Sequence, residues 1–257
     1  MKSKKGILFD SVLCVGCGAC YEACKTENDL GEIPEDYFKQ RLSDKNFSVI
    51  EDYDGIYARK LCMHCAEPTC VSVCPVYAIE KKENGAVVYD ADKCMGCRYC
   101  MQACPHNIPR YEWASNNPRI RKCTMCYENR TSKGLPTACA EACPAEATLY
   151  GDLDELKVIA RKRIEENPDS YYPEIYGLDE AGGTNVLILA SVPFEQLGYA
   201  PNLPKEGLPK LTKEALDKIP GVVTFGGLFL GGMYWLTKRK NEIAKEKLVK
   251  ELDNNDK

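Results

Sequence analysis

The sequence predicts an α+β protein of two interlocked units with insertions, plus one C-terminal transmembrane helix. Three observations lead to this prediction: sixteen cysteines form four motifs, short apolar stretches flank those motifs, and residues 220–236 carry no charge. The chain has 257 residues, of which 44% are hydrophobic and 28% are charged. That length is enough for one large domain or two small ones.

Composition excludes several classes of protein. The net charge is only −4 and no basic stripe is present, which argues against nucleic-acid binding. Two histidines, His64 and His106, are too few for haem or histidine-metal chemistry. A disulfide scaffold suits short secreted chains that lack a core, whereas this chain has apolar residues for a core and no secretory leader.

The cysteines form four sets of four with none left over. They are Cys14, Cys17, Cys20 and Cys24; Cys62, Cys65, Cys70 and Cys74; Cys94, Cys97, Cys100 and Cys104; and Cys123, Cys126, Cys139 and Cys143. Zinc ribbons also use C-x2-C pairs, but they do not require the third and fourth cysteines of each motif. Full sets of this kind are typical of [4Fe-4S] clusters, so we predict four; a mixed protein with clusters at only some motifs is the alternative.

The spacing within the motifs has a physical reason. The first and third sets are C-x2-C-x2-C-x3-C, and the second and fourth lengthen only the middle gap, to four and twelve residues. A tight loop lets three thiolates converge on one cubane, while the fourth cysteine points away and ligates the other cluster of a pair. Proline follows that cysteine at Pro75, Pro105 and Pro144 and stops the helical turn; Lys25 replaces it in the first motif.

The pairing of motifs follows from their distance along the chain. Only 19 residues separate the second motif from the third, so these two form one unit, and the first and fourth must pair around it. The predicted ligand sets are Cys62, Cys65, Cys70 and Cys104; Cys94, Cys97, Cys100 and Cys74; Cys14, Cys17, Cys20 and Cys143; and Cys123, Cys126, Cys139 and Cys24. This nested order sets the clusters in a row, as an electron conductor requires.

The remaining elements are expected to pack around these motifs. Short β-branched or aromatic stretches at residues 6–9, 56–58, 86–89 and 148–150 predict the paired strands of small hairpins. A capping box at Asp152 and Glu155 predicts a helix through Asn167. Its packing face would comprise Leu153, Leu156, Ile159, Ala160 and Ile164. We expect His64, Arg110, Tyr111 and Trp113 to pack or to carry solvated charge. The alternative is that they tune a cluster or line a route to quinone.

The sequence resembles, over nearly its whole length, the four-cluster [4Fe-4S] ferredoxin-type iron-sulfur (beta) subunits of membrane-bound oxidoreductases. The resemblance is carried by LCVGCGAC at 13–20, CMHCAEPTCVSVCP at 62–75, CMGCRYCMQACPHNIPR at 94–110, and KCTMCYENR with GLPTACAEACP at 122–144. Segment 182–198 and the C-terminal anchor are most similar to subunits serving respiratory [NiFe] hydrogenase and formate dehydrogenase. The departures, Lys25 and His106, remove no ligand. The resemblance implies two interlocked two-cluster ferredoxin-like units.

Residues 220–236 predict a membrane anchor. As a helix these 17 uncharged residues span about 25 Å, near the lower limit for a bilayer. A buried core helix is the alternative, but its glycine pairs would cost about 1 kcal/mol per glycine. Gly227 and Gly231 form a G-x-x-x-G that suits packing of a membrane helix. Tyr234 and Trp235, followed by a basic cluster at 238–240, favour a cytoplasmic C-terminus.

The predicted function is electron transfer without bond-making chemistry. Electrons would pass through four [4Fe-4S] clusters between a catalytic large subunit, a molybdopterin or tungstopterin formate dehydrogenase or a [NiFe] hydrogenase, and an integral membrane quinone or haem b subunit. The alternatives are a free-standing polyferredoxin among cytoplasmic enzymes, or the same role for another molybdopterin reductase. The cluster domain would be periplasmic and exported with a signal-bearing partner, because no export signal is present; a cytoplasm-facing complex is the alternative.

The predicted domain organisation follows the same order along the chain. It comprises a four-cluster core at 1–150, with an outer unit from 1–30 and 118–150 and an inner unit from 56–110; a helix and strand packing on the core at 151–200; a linker at 201–219; the anchor at 220–236; and a charged cytoplasmic tail at 237–257.

Overall fold

The structure, a computed structural model, describes residues 3–255, with the backbone alone at residue 214 and over residues 248–255. The chain forms two compact units that divide between Pro209 and Lys210. Strands and helices are mixed in the first unit, and the second unit is helical.

The strands of the first unit are short. They are β1 Lys5–Asp10, β2 Val49–Tyr53, β3 Ile56–Lys60, β4 Ile79–Lys81, β5 Val87–Tyr89, β6 Arg110–Tyr111, β7 Ile120–Arg121, β8 Thr148–Asp152 and β9 Val186–Leu189. The helices are α1 Ala19–Glu27, α2 Thr69–Ser72, α3 Tyr99–Ala103, α4 Ala138–Glu141, α5 Leu153–Glu166 and α6 Leu208–Asn255. All four strands predicted from the sequence are confirmed.

A three-stranded sheet with the order β8-β1-β9 joins the two ends of the cysteine region. Strand β1 pairs antiparallel with β8 and parallel with β9. Its residues from Gly6 to Asp10 are all buried, as are all four residues of β9. Because β1 leads into the first cysteine motif and β8 follows the last, this sheet brings the first and fourth motifs together.

The other strands form three antiparallel pairs, β2 with β3, β4 with β5, and β6 with β7. The short helices pair in a related way: α1 contacts α4, and α2 contacts α3. The expectation that every predicted strand belongs to a local hairpin was wrong for residues 6–9 and 148–150. Those two segments pair with each other across more than a hundred residues of sequence.

The predicted helix after the last motif is confirmed as α5. Asp152 is its N-cap, and Oδ1 of that residue accepts a hydrogen bond from the Asp154 amide at 3.0 Å. Leu153, Leu156 and Ala160 are buried against the sheet, but Ile159 lies 36% exposed. The predicted face was therefore too wide, because the sheet covers a stripe of the helix that ends before Ile159.

Helix α6 forms most of the second unit. It begins at Leu208, twelve residues before the predicted anchor, and includes Pro220. Residues 210–219 are rich in leucine, lysine, glutamate and alanine, which favour helix strongly enough to continue it into the proline. One stretch of the described residues, Leu208–Lys247, is long and apolar enough to cross a membrane, because an 18-residue window within it has a mean hydropathy of 1.4.

Candidate iron-sulfur sites

The four cysteine motifs share one local backbone. In each, the third cysteine is the second residue of a short helix and is buried: Cys20, Cys70, Cys100 and Cys139. The residue before the second cysteine always has a positive φ, at Gly16, His64, Gly96 and Met125. This left-handed residue turns the loop tightly enough for successive backbone amides to face inward. The repeated spacing therefore produces four similar thiol-lined loops.

Two enclosed spaces in the first unit are lined by four cysteines each. One is lined by Cys24, Cys123, Cys126 and Cys139 together with Arg59, and we call it the buried site. The other is lined by Cys74, Cys94, Cys97 and Cys100, and we call it the exposed site because Cys97 is exposed. Each space collects the same four cysteines that the sequence groups as a ligand set, including the fourth cysteine of the other motif.

The remaining cysteines group by their electrostatic effects on one another. Burial raises the pKa of Cys14, and the charges of Cys143 and Cys17 raise it further, although an amide at Gly16 lowers it. Burial also raises the pKa of Cys65, and the charges of Cys62, Cys104 and Cys70 act in the same direction. We call the first group the N-terminal site and the second the central site; both contain the cysteines of one predicted ligand set.

Three cysteine pairs link these four sites in a row. The charge of Cys139 in the buried site raises the pKa of Cys20 in the N-terminal site. The charge of Cys62 in the central site raises the pKa of Cys123 in the buried site. The charge of Cys100 in the exposed site raises the pKa of Cys70 in the central site. The order is therefore N-terminal, buried, central and exposed, and the two exposed cysteines, Cys17 and Cys97, belong to the two ends.

The donor chemistry of these sites fits iron-sulfur clusters. Burial raises the pKa of Cys20 to about 11 and that of Cys123 to about 12. Since the thiolate is the form that binds metal, four such thiols ionise together only around a positively charged centre. A [4Fe-4S] cluster held by four thiolates supplies such a centre and one-electron chemistry. Among the side chains that the structure describes, no three His, Cys, Asp or Glu residues are arranged to hold a single metal ion.

The buried site is surrounded by groups that the sequence did not single out. Arg59 is 1% exposed, and its Nε and Nη1 donate to Ser48 Oγ at 3.0 Å and Thr148 Oγ1 at 3.1 Å. Burial opposes ionisation of Cys139, but the charge of Arg59, together with hydrogen bonds from Arg59, Thr137 and the backbone, outweighs burial and lowers the pKa of that thiol. Lys122 is also buried, and its ammonium donates to the carbonyls of Val87 and Cys123.

Sequence signals for these two cations are weak but visible. Arg59 and Lys60 stand between Ala58 and Leu61 just before the second motif, and Lys122 directly precedes Cys123. His64 was expected only to pack, and its ring is fully buried. The structure adds that His64 Nε2 lies 3.6 Å from Cys123 Sγ.

The surroundings of the exposed site differ from those of the buried site. Met95, Tyr99 and Tyr77 are exposed around it. The guanidinium of Arg98 lies 5.4 Å from the ring centroids of both Tyr111 and Trp113. Trp113 is 70% exposed, and Arg110 donates to the Leu42 carbonyl at 3.0 Å. These residues make packing contacts or carry solvated charge, as expected from the sequence.

Two further predicted positions have distinct environments. Burial lowers the pKa of His106 to about 4. Its Nδ1 lies 3.3 Å from the Tyr176 hydroxyl, while Nε2 is buried with no partner in the described part of the protein. Gly227 and Gly231 lie on α6, where an added Cβ would meet no atom within 4 Å.

Comparisons with known proteins agree with the binding of iron-sulfur clusters. A 4Fe-4S dicluster domain family matches residues 53–153, and a 4Fe-4S binding domain family matches residues 7–27. The hydrogenase-2 operon protein HybA of Escherichia coli O157:H7 is 38% identical over 78% of this chain and 73% of its own length. The formate dehydrogenase iron-sulfur subunit of Haemophilus influenzae is 33% identical over 91% and 80%. The B subunit of the anaerobic dimethyl sulfoxide reductase of Escherichia coli K12 is 38% identical over 61% and 78%.

Proposed function

This protein belongs to the family of ferredoxin-type 4Fe-4S iron-sulfur subunits, and from this premise we propose that it conducts electrons through four [4Fe-4S] clusters between two partner subunits. The observation that carries the proposal is the row of four cysteine sites, which has one exposed cysteine at each end. Electrons that enter at one end and leave at the other need such a row. The protein performs no bond-making chemistry of its own in this role.

The ligand sets that we propose are those predicted from the sequence. Cys14, Cys17, Cys20 and Cys143 hold the N-terminal cluster; Cys24, Cys123, Cys126 and Cys139 the buried one; Cys62, Cys65, Cys70 and Cys104 the central one; and Cys74, Cys94, Cys97 and Cys100 the one at the exposed site. Two enclosed spaces lined by complete sets support this assignment. The contacts of α1 with α4 and of α2 with α3 support two interlocked two-cluster units.

The proposed partners are a catalytic subunit and a membrane subunit. The catalytic subunit is a formate dehydrogenase or a [NiFe] hydrogenase, as the names of two relatives suggest. The membrane subunit holds quinone or haem b. Helix α6 anchors the protein through residues 220–236, with Gly227 and Gly231 on its packing face. The cluster region is periplasmic and reaches that side with a signal-bearing partner.

One cysteine substitution tests the ligand sets. Cys24→Ser should remove the cluster held with Cys123, Cys126 and Cys139, and leave the cluster of the first motif in place, because Cys24 lines the buried site. Iron and sulfide content, with electron paramagnetic resonance of the reduced protein, would measure the loss of one cluster. Cys17→Ser is the matched control within the same motif, and it should affect only the N-terminal cluster. Loss of the N-terminal cluster in Cys24→Ser would overturn the assignment.

Fractionation tests the assembly. A subunit of a membrane complex should need detergent and should purify with a large catalytic subunit that mass spectrometry can identify. A free-standing polyferredoxin would stay in the soluble fraction and purify alone. A relative named for dimethyl sulfoxide reductase supports the same wiring role for another molybdopterin reductase as the second candidate.

A further inference from the structure

Arg59 is a buried cation without an acidic partner. Its hydrogen bonds go to the hydroxyls of Ser48 and Thr148, and in the described residues no carboxylate lies within ion-pair distance of it. A buried charge needs a compensating charge nearby. The compensating groups beside Arg59 are cysteines, above all Cys139 and Cys20, which belong to two neighbouring sites.

A second group contacts a sulfur of the same site. His64 Nδ1 accepts a hydrogen bond from the Val87 amide at 2.9 Å, so the ring proton of the neutral imidazole is on Nε2. That Nε2 lies 3.6 Å from Cys123 Sγ. The Val87 amide therefore selects the tautomer that makes His64 a donor to the sulfur. Since His64 is wholly buried, water does not compete for this bond.

Further donors reach the sulfurs of the buried site. The Met125 amide lies 3.4 Å from Cys123 Sγ, and Asn28 Nδ2 lies 3.8 Å from Cys24 Sγ. At the exposed site the Ala78 amide donates to Cys74 Sγ at 3.2 Å. The guanidinium next to that site in sequence, Arg98, is exposed on the faces of Tyr111 and Trp113. The two sites therefore differ in buried charge and in donors to sulfur.

We propose that Arg59 and His64 raise the reduction potential of the cluster at the buried site above that of the cluster at the exposed site. The inference rests on the proposed function, because it assumes that both sites hold clusters. One-electron reduction makes a cluster more negative, and a fixed buried cation and hydrogen bonds to its sulfurs stabilise that added charge. Water screens Arg98 in a way that it does not screen Arg59.

This difference makes the buried site a more favourable place for an electron than the exposed site. The buried site lies second in the row, next to the N-terminal site and separated from the exposed site by the central one. An electron that arrives at the exposed end is therefore drawn towards the buried site, away from solvent oxidants. The charge of Arg59 also interacts with Cys20, so Arg59 affects the N-terminal cluster as well.

A redox titration monitored by electron paramagnetic resonance tests the proposal on the full holoprotein or its complex. Arg59→Gln should lower the equilibrium constant for reduction of the buried cluster at least tenfold, which is a fall of about 59 mV for one electron. Arg59→Lys, which keeps the charge, should shift it less. Arg98→Gln removes the same charge from the surface and should leave the buried cluster unchanged. The buried cluster is identified as the signal that Cys24→Ser abolishes.

A second variant covers the case in which Arg59→Gln loses the cluster. In His64→Asn the shorter side chain tolerates the left-handed backbone of residue 64 but does not reach Cys123, and the potential should again fall. An unchanged potential in His64→Asn, or an equal fall in all four clusters of Arg59→Gln, overturns the proposal. If Cys24→Ser abolishes no signal in an otherwise intact protein, the ligand assignment fails instead, and the two failures are distinguishable.

Discussion

The loops of the first and third cysteine motifs have the same spacing and the same backbone, but different surroundings. In both, an aspartate stands four residues before the first cysteine and caps the loop. Asp10 accepts bonds from the amides of Val12 and Leu13 at 3.0 and 3.2 Å. Asp90 accepts bonds from the amides at positions 92 and 93 at 2.9 and 3.4 Å. The local design is thus repeated.

What surrounds the two aspartates differs. The carboxylate of Asp10 is fully buried, and its second oxygen accepts from Arg163 Nη1 at 2.7 Å and from the Tyr171 hydroxyl at 2.8 Å. Asp90 pairs with Lys93 at 3.0 Å on the surface. Asp10 therefore fastens the first loop to α5 and the segment after it, whereas the carboxylate of Asp90 bonds to residues close to it in sequence.

The helices that follow the two loops differ in length for a reason visible in the sequence. Helix α3 ends at Ala103 because Pro105 follows Cys104. Helix α1 continues to Glu27 because Lys25 stands where the proline would be. The ammonium of Lys25 is buried and lies 3.4 Å from both the Lys45 carbonyl and Asn46 Oδ1. The comparison teaches that spacing fixes the loop, while flanking residues decide how the loop is built into the fold.

The largest effect should come from making the first motif resemble the third. Lys25→Pro removes the amide that bonds to the carbonyl of residue 21 and clashes with that turn, which costs about 3 kcal/mol or more. It also removes the buried ammonium contacts. We expect a lower unfolding temperature of the holoprotein and a shortened α1, measured by thermal denaturation and circular dichroism. Pro105→Ala is the control and should have a much smaller effect; a neutral Lys25→Pro would contradict this account.

Sequence reasoning reached the elements whose signals are local. The cysteine spacing predicted the loops, β-branched runs predicted four strands, and the Asp152 cap predicted the start of α5 within one residue. The pairing of strands was harder to predict, because β1 pairs with β8 and β9 through contacts that depend on the whole fold. Strand β2 was not predicted although its signal is local, because Asp54 and Gly55, both with positive φ, form the two-residue turn that joins it to β3.

The surroundings of the sites were the least predictable part. Arg59 and Lys122 are buried cations, and a sequence pattern assigns charged residues to the surface by default. Their burial depends on thiols from distant motifs that the fold collects around them. Ile159 shows the opposite error, since helical periodicity placed it on a buried face that the sheet does not reach.

Substitutions of Asp10 and Asp90 should lower the stability by different amounts, and the larger of the two effects is intermediate in size. Asp10→Asn keeps the shape and the amide bonds but removes the charge that Arg163 and Tyr171 bind, and hydrogen bonds to charged groups are worth about 1.5–3 kcal/mol. The unfolding temperature should fall clearly. Asp90→Asn should change it much less, because water already surrounds that pair. Equal effects of the two substitutions would contradict the difference in surroundings.

The pH dependence of the surface aspartate sharpens this contrast. A side-chain bond from Lys93 and an amide bond from Asp92 lower the pKa of Asp90. Because the pKa of Asp90 is lower in the folded protein than in the unfolded one, the ionised carboxylate stabilises the fold. This contribution is present above the pKa that Asp90 has in the unfolded protein, and it is lost as pH falls through the pKa of Asp90 in the folded protein. The small difference between Asp90→Asn and the parent protein, measured by thermal denaturation, should therefore vanish in acid. A difference that grows in acid would contradict this sign.

A last comparison concerns the residue that directly precedes each helix and has a left-handed conformation. Gly18 has φ 78°, and Arg98 has φ 65° at the equivalent position. A Cβ at Gly18 would lie 2.7 Å from the ring of Tyr37, whose hydroxyl is fixed by a 2.9 Å bond to the Gly16 carbonyl. Gly18→Ala should therefore cost about 1–2 kcal/mol in backbone strain.

The reciprocal change, Arg98→Gly, should be close to neutral. It relieves the same strain but loses the contacts of the guanidinium with Tyr111 and Trp113, each worth about 0.5–1 kcal/mol at an exposed site. Thermal denaturation of the two variants side by side measures the difference. If Arg98→Gly destabilises the protein as much as Gly18→Ala, the aromatic contacts rather than the shared left-handed turn hold the third loop, and the two loops are less alike than their backbones indicate.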